Sequence, residues 1–274
     1  MHALPTAIGL LVALALAPSI IRGLAAGGHV RPNYRGRGLP FPLGILIITA
    51  GVVTLIPLEL AQQLSASSIF YPQLSIVLPY ALGVGLLGLI DDNYSDSSRG
   101  WRGHAASTLA GRFSTGALKG AGSLGLALYA MSGQGLSTGR YLLAVAVLVL
   151  ATNTFNLLDL RPGRCLKALG LLGAGLCLGT MSVRALWAVG VLASPALIAG
   201  VYDLRERAML GDTGANLMGA LAGLWIVLSL SGTGQLVALA VLLLITVYGE
   251  FRSISGFVER TPGLRELDSW GRPS

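Results

Sequence analysis

The chain has 274 residues, 53% of them hydrophobic and only 11% charged, with a mean hydropathy of +0.71. So few polar groups cannot coat a soluble globule of this size, and the same figures exclude disorder. Two cysteines exclude a disulfide scaffold, and the net charge of +7 raises the question of a polyanionic partner.

Apolar windows of about 17–22 residues can each cross a hydrocarbon core of roughly 30 Å. Nine follow one another here, at 3–21, 42–61, 73–90, 114–131, 141–158, 165–181, 185–201, 213–230 and 234–250. The expected fold is an all-α, polytopic membrane bundle of about nine transmembrane helices, one domain over residues 1–274. Pro18, Pro57, Pro79 and Pro195 fall inside windows, where neighbouring helices can re-satisfy the freed backbone groups. The first window has no basic residue before it and Arg22 just after it, the pattern of an anchor with its N-terminus outside. Cys165 and Cys177 share one expected helix, about 18 Å apart at the helical rise, too far for a disulfide.

Nine crossings put the segments near 22–41, 91–113, 159–167, 202–212 and 251–274 on one side, together with Lys119 at the membrane edge. Of 19 Lys and Arg residues, only Arg140 and Arg184 lie on the other side. That bias marks the first set as cytoplasmic, with the C-terminus inside, and makes the basic charge a topology signal instead of a nucleic-acid footprint. Eleven of the twelve acids share that face, Glu59 being the exception. Carboxylates are not demanded by the positive-inside rule, so a face carrying both signs reads as a working face.

Four constellations stand on it. Gly88-Leu89-Ile90-Asp91-Asp92-Asn93 ends an apolar run in two adjacent carboxylates, which repel each other and make a cation their natural partner. Oxygen ligands without nearby histidine or cysteine favour Mg²⁺ or Mn²⁺ over zinc. In Asn153-Thr154-Phe155-Asn156-Leu157-Leu158-Asp159 the three-residue spacing puts Asn153, Asn156 and Asp159 on one helical face, where they could bond a sugar, a base or a phosphate. Arg161, Arg164 and Lys167 follow at once, as a pyrophosphate would require. Leu210-Gly211-Asp212-Thr213-Gly214 opens the eighth window; Asp212 there fits either an ordinary helix N-cap or a phosphate or metal site. Lys119 is one of only two lysines and lies inside a window of small and apolar residues, where it either snorkels or faces a site. His2, His29 and His104 have no ligand-like spacing, and no Walker, GxSxG or HExxH sequence occurs.

Taken in order, these segments resemble the polyprenyl-phosphate N-acetylhexosamine-1-phosphate transferases, the superfamily of phospho-N-acetylmuramoyl-pentapeptide transferase. The resemblance starts at Asn33-Tyr34-Arg35-Gly36 with Leu39-Pro40 and continues through Asp91-Asp92, Lys119, Asn-x-x-Asn-x-x-Asp and Gly-Asp-x-Gly, over about residues 30–270. Three departures stand beside it. Pro162 replaces the second acid of the family's Asp-Gly-x-Asp-Gly. The last loop, Glu259 to Asp268, has no histidine where the family carries several. The chain also has one window fewer than the family's usual ten.

The resemblance implies a multi-pass enzyme of the cytoplasmic membrane, with its site on the cytoplasmic face, serving cell-envelope glycan synthesis. It would transfer a sugar-1-phosphate from a UDP-sugar to polyprenyl phosphate, giving a polyprenyl-diphosphate sugar and UMP. Asp91, Asp92 and Lys119 are then expected to be catalytic, and Asp91, Asp92 and Asp212 to supply the ligands of Mg²⁺. Asn153, Asn156, Asp159, Arg161 and Arg164 are expected to bind the donor. No nucleic-acid partner is expected, and a homodimer is compatible with this reading. Two other readings are a weakened relative that binds the lipid carrier or an envelope partner without turnover, and a transporter. The transporter is disfavoured because charge sits at one edge instead of mid-membrane.

Overall fold

The structure is a computed structural model that describes residues 2–65, 68–94 and 114–273. The greater part of the expected 91–113 loop, residues 95–113 with His104, lies outside the described residues.

Among the described residues nine long helices follow one another, one over each apolar window: α1 (Leu4–Ala26), α2 (Gly44–Ser65), α3 (Leu74–Tyr94), α4 (Thr115–Met131), α5 (Thr138–Leu158), α6 (Arg164–Thr180), α7 (Arg184–Leu204), α8 (Gly211–Ser229) and α9 (Gly232–Phe251). Two short helices, α10 (Ile254–Arg260) and α11 (Leu264–Ser269), end it. The four prolines sit inside α1, α2, α3 and α7 without ending them. Among the described residues six helices, α1, α2, α3, α5, α7 and α9, are long and apolar enough to cross a membrane. The other three are shorter or more polar: α4 and α6 have 17 residues each, about 26 Å at the helical rise, and α8 opens on Asp212 and Asn216. Both cysteines are free.

The bundle is organised around α8. Every residue from Thr213 to Ile226 is buried, because α2, α3, α5, α6 and α7 pack around it. A helix that is apolar on all sides belongs in such a place. By contrast α9 leans mainly on α5 and buries only Gln235 and Leu242, leaving Leu236, Val237, Leu243 and Leu244 exposed. An outward face of that composition suits a hydrocarbon surrounding.

Two glycines set the closest backbone-to-backbone approaches. A Cβ on Gly44 would stand 2.2 Å from the Gly214 amide nitrogen, and one on Gly88 would stand 2.5 Å from the Asp212 carbonyl oxygen. The backbones of α2 and α3 therefore touch the start of α8 directly, as only glycine allows.

A short two-stranded antiparallel hairpin, β1 (Val30–Pro32) with β2 (Gly38–Pro40), accompanies the helices of this all-α bundle; it pairs Val30 with Pro40 and Arg31 with Leu39. Its turn is closed by Asn33, whose Oδ1 accepts from the amides of Arg35 and Arg37 at 2.9 Å each. The chain beyond β2 clasps the approach to α8, with Met209 N donating to Pro40 O at 2.9 Å and Leu43 N to Met209 O at 2.7 Å.

Candidate active site

Three helices bring one charge each to a common point. Lys119 of α4 donates through Nζ to Asp91 Oδ2 of α3 at 2.9 Å and to Asp212 Oδ2 of α8 at 2.5 Å. An ammonium between two facing carboxylates leaves a net negative charge at the end of an apolar bundle. The depth of Lys119 thus serves an ion-pair centre, where snorkelling was the alternative.

Asp92 does something else. Its Oδ1 accepts from Asp212 N at 2.9 Å, and its Oδ2 accepts from Thr213 N at 2.8 Å and Thr213 Oγ1 at 2.5 Å. It satisfies the orphan amides of the first turn of α8 from a neighbouring helix. The N-cap position itself is Leu210, with no side-chain cap, and Asp212 lies in the first turn. The capping expected of Asp212 is therefore carried by Asp92, which leaves Asp212 free to meet Lys119.

A cavity of about 270 Å³ opens beside this centre, lined by Arg31, Tyr34, Phe41, Asp92, Asp159, Arg161, Pro162, Asp203 and Asp212 among others. Arg31 stacks on Phe41 at 4.3 Å and donates to the Asp92 carbonyl. Arg161 stacks on Tyr34 at 4.5 Å and pairs with Glu259 at 3.1 Å. Two guanidiniums thus stand in the wall of an otherwise acidic pocket, each braced by an aromatic ring. Desolvation, and then the charges of Asp203, Asp212 and Asp92, push the Asp159 carboxyl well above the ordinary carboxylate range.

The donor-binding residues expected from the sequence separate into two groups. Asp159 and Arg161 line the cavity; Asn153, Asn156 and Arg164 do not. Asn153 is exposed and turns to Thr246 of α9, Nδ2 to Oγ1 at 3.4 Å. Arg164 is 6% exposed and gives a two-pronged grip to Asp268, Nε to Oδ1 at 2.7 Å and Nη2 to Oδ2 at 3.0 Å, with Nη1 on Ser255 Oγ at 2.8 Å. Its guanidinium is therefore held by the C-terminal segment and stands outside the cavity wall.

Asp203 and Glu206 had no motif to mark them. Asp203, 4% exposed, accepts from Gly163 N at 2.7 Å and Leu210 N at 3.3 Å, joining the α5–α6 turn to the approach to α8. Glu206, 3% exposed, accepts from Asn33 Nδ2 at 3.0 Å and the Tyr34 hydroxyl at 3.2 Å, docking the hairpin turn. Both read in sequence as charges of a solvated loop; only their tertiary burial distinguishes them.

Among the described residues no three of His, Cys, Asp and Glu converge as a metal-binding group. The donor set fits a magnesium-type ion, which usually takes one or two carboxylates and fills its shell with water and substrate phosphate. Asp91 and Asp212 fit that role, since each gives Lys119 one oxygen and keeps a second hard oxygen. Asp92 fits it poorly, with both oxygens engaged by α8.

No protein-family model and no curated protein matches the chain.

Proposed function

We propose that this chain transfers a sugar-1-phosphate from a nucleoside-diphosphate sugar, with uridine as the expected base, to a polyprenyl phosphate. The observation that carries the reading is the Lys119 ammonium held between Asp91 and Asp212 at the edge of a membrane bundle, beside a cavity walled by Arg31 and Arg161. A cationic rim matches a diphosphate, and an acidic floor matches a divalent ion bridging it.

In the reaction, a phosphate oxygen of the acceptor forms a bond to the sugar-bearing phosphorus of the donor. The bond from that phosphorus to the oxygen bridging it to the nucleotide phosphate breaks, and nucleoside monophosphate leaves. Lys119 orients a phosphate oxygen, and Asp91 or Asp212 can take a proton from the acceptor. Arg31 and Arg161 hold the diphosphate, and Asp92 keeps the first turn of α8 aligned. Magnesium held by Asp91 and Asp212 would supply neutralisation of charge on the diphosphate. Purified protein incubated with polyprenyl phosphate, Mg²⁺ and a panel of nucleotide sugars should release nucleoside monophosphate; no release with any donor refutes the activity.

Arg161→Ala should weaken donor binding by about 1.5–3 kcal/mol, the scale of a lost charge-assisted hydrogen bond. Calorimetry in neutral detergent excludes a mere headgroup effect, and unchanged affinity removes Arg161 from the site. Pro162 has no backbone N–H and no ionisable group, so diphosphate contacts should dominate and selectivity for the base should be relaxed.

The same reading assigns nine crossings of the cytoplasmic membrane, with the N-terminus outside and the site and C-terminus inside, on the 17 to 2 division of basic residues. An impermeant thiol reagent applied to intact cells should label Ser68→Cys and spare Ser269→Cys; the opposite pattern inverts the topology.

A further inference from the structure

The C-terminal segment does not enter the cavity, yet it is fastened to the loop that does. Asp159, Leu160, Arg161 and Pro162 form one wall, and the loop then turns through Gly163 at φ +76° into α6. From inside, Asp203 holds the Gly163 amide. From outside, the fastening comes from a segment about 100 residues further along the chain.

Asp268 is its centre. Besides Arg164, its carboxylate accepts from Arg272 Nη2 at 2.7 Å and Nη1 at 3.1 Å. Arg272 Nε in turn donates to Pro162 O at 2.8 Å, and Lys167 Nζ donates to Asp268 O at 2.5 Å. Further along, Arg35 of the hairpin turn reaches Pro273 O at 3.0 Å. Burial of Asp268 is outweighed by the hydrogen bonds from Arg164 and Arg272, which hold its carboxyl below the usual carboxylate range. Two guanidiniums share this one anion. Without it they would repel each other, and the largely buried Arg164 would lose its charge partner. The carbonyl of Pro162, a cavity residue, would lose its tether with them.

We propose that Asp268 is a positioning residue: through Arg164 and Arg272 it holds the Leu160–Pro162 wall at the spacing the donor needs. The C-terminal segment thereby sets donor affinity without touching the donor. This rests on the transferase reading above. A general brace for the fold would make a different prediction, because its loss would lower stability and leave the substrate constants of the folded fraction alone.

The experiment compares full-length wild type with Asp268→Asn and Arg272→Gln, measuring hydrogen exchange across 159–168, melting temperature, and KM for donor and acceptor separately. Arg272→Gln keeps the Asp268–Arg164 pair and decides the matter if Asp268→Asn fails to fold. The expected result is exchange about tenfold faster in 159–168 with α8 unchanged, and a donor KM raised about tenfold at unchanged acceptor KM in both variants, with the melting temperature unchanged in Arg272→Gln and lowered in Asp268→Asn, which leaves Arg164 without its charge partner. Unchanged exchange in the folded variants, or faster exchange with an unchanged donor KM, overturns the positioning role. A wild type that releases no nucleoside monophosphate refutes the transferase reading itself, whereas active wild type with indistinguishable variants refutes only the role of Asp268.

Discussion

Asp91→Asn and Asp212→Asn are each expected to lower turnover by on the order of a hundredfold or more, with the fold retained. On the transferase reading each variant removes one of the two carboxylates that would hold Mg²⁺, and losing a ligand of an ion that offsets transition-state charge costs several kcal/mol. The fold survives because Lys119 keeps its other partner, Asp212 at 2.5 Å in one variant and Asp91 at 2.9 Å in the other. Chelation of divalent ions should abolish activity in the wild type. Nucleoside monophosphate release at saturating substrates, beside melting curves in detergent, checks all of this. Full activity in chelator, or amide variants equal to the parent, removes the metal and the pair from the mechanism.

The neighbouring residue should behave in the opposite way. Asp92→Ala strips the acceptor from two amides and a hydroxyl at the buried start of α8. With little water to replace it, the expected loss is about 3–4 kcal/mol of stability. Asp92→Asn keeps the shape and one good acceptor, so it should lose less. Thermal or denaturant unfolding of the purified variants reads the order directly: Asp92→Ala least stable, Asp92→Asn intermediate, Asp91→Asn near wild type. If Asp92→Ala were as stable as the parent, its bonds to α8 would be incidental.

The two adjacent aspartates show how far the sequence could be read. That the pair ends an apolar helix is visible in the run from Leu74 to Asp92, because hydrophobic length is a local property. Which carboxylate faces a cation and which faces a helix start depends on how α3 is rotated against α8, and Gly88 decides that by contact with a residue 124 positions away. Lys119 was conspicuous as a charge among small residues, and Asp212 as a break in an apolar pattern. Their convergence on Asp91 needed the bundle. Arg164 shows the opposite failure. Its place after Asp159 suggests a ligand, but a carboxylate 104 residues downstream captures it. Asn153 fails for a similar reason, since helical spacing shows that residues share a face and not what that face meets. Asp203 and Glu206 look like ordinary loop charges, and only the packing of the α5–α6 turn on the first and of the hairpin on the second makes them interior.

The glycine contacts of α2 and α3 with α8 also determine what ionic strength can reach. The helices that carry Asp91 and Asp212 are held by backbone pressed against backbone, which dissolved ions do not loosen. The rim of the site is held by pairs such as Arg161 with Glu259, whose side chains are 29% and 54% exposed, and such pairs weaken as salt rises. On the transferase reading rising salt therefore acts first on how substrate is admitted and retained, and it leaves Asp91 and Asp212 aligned across α3 and α8.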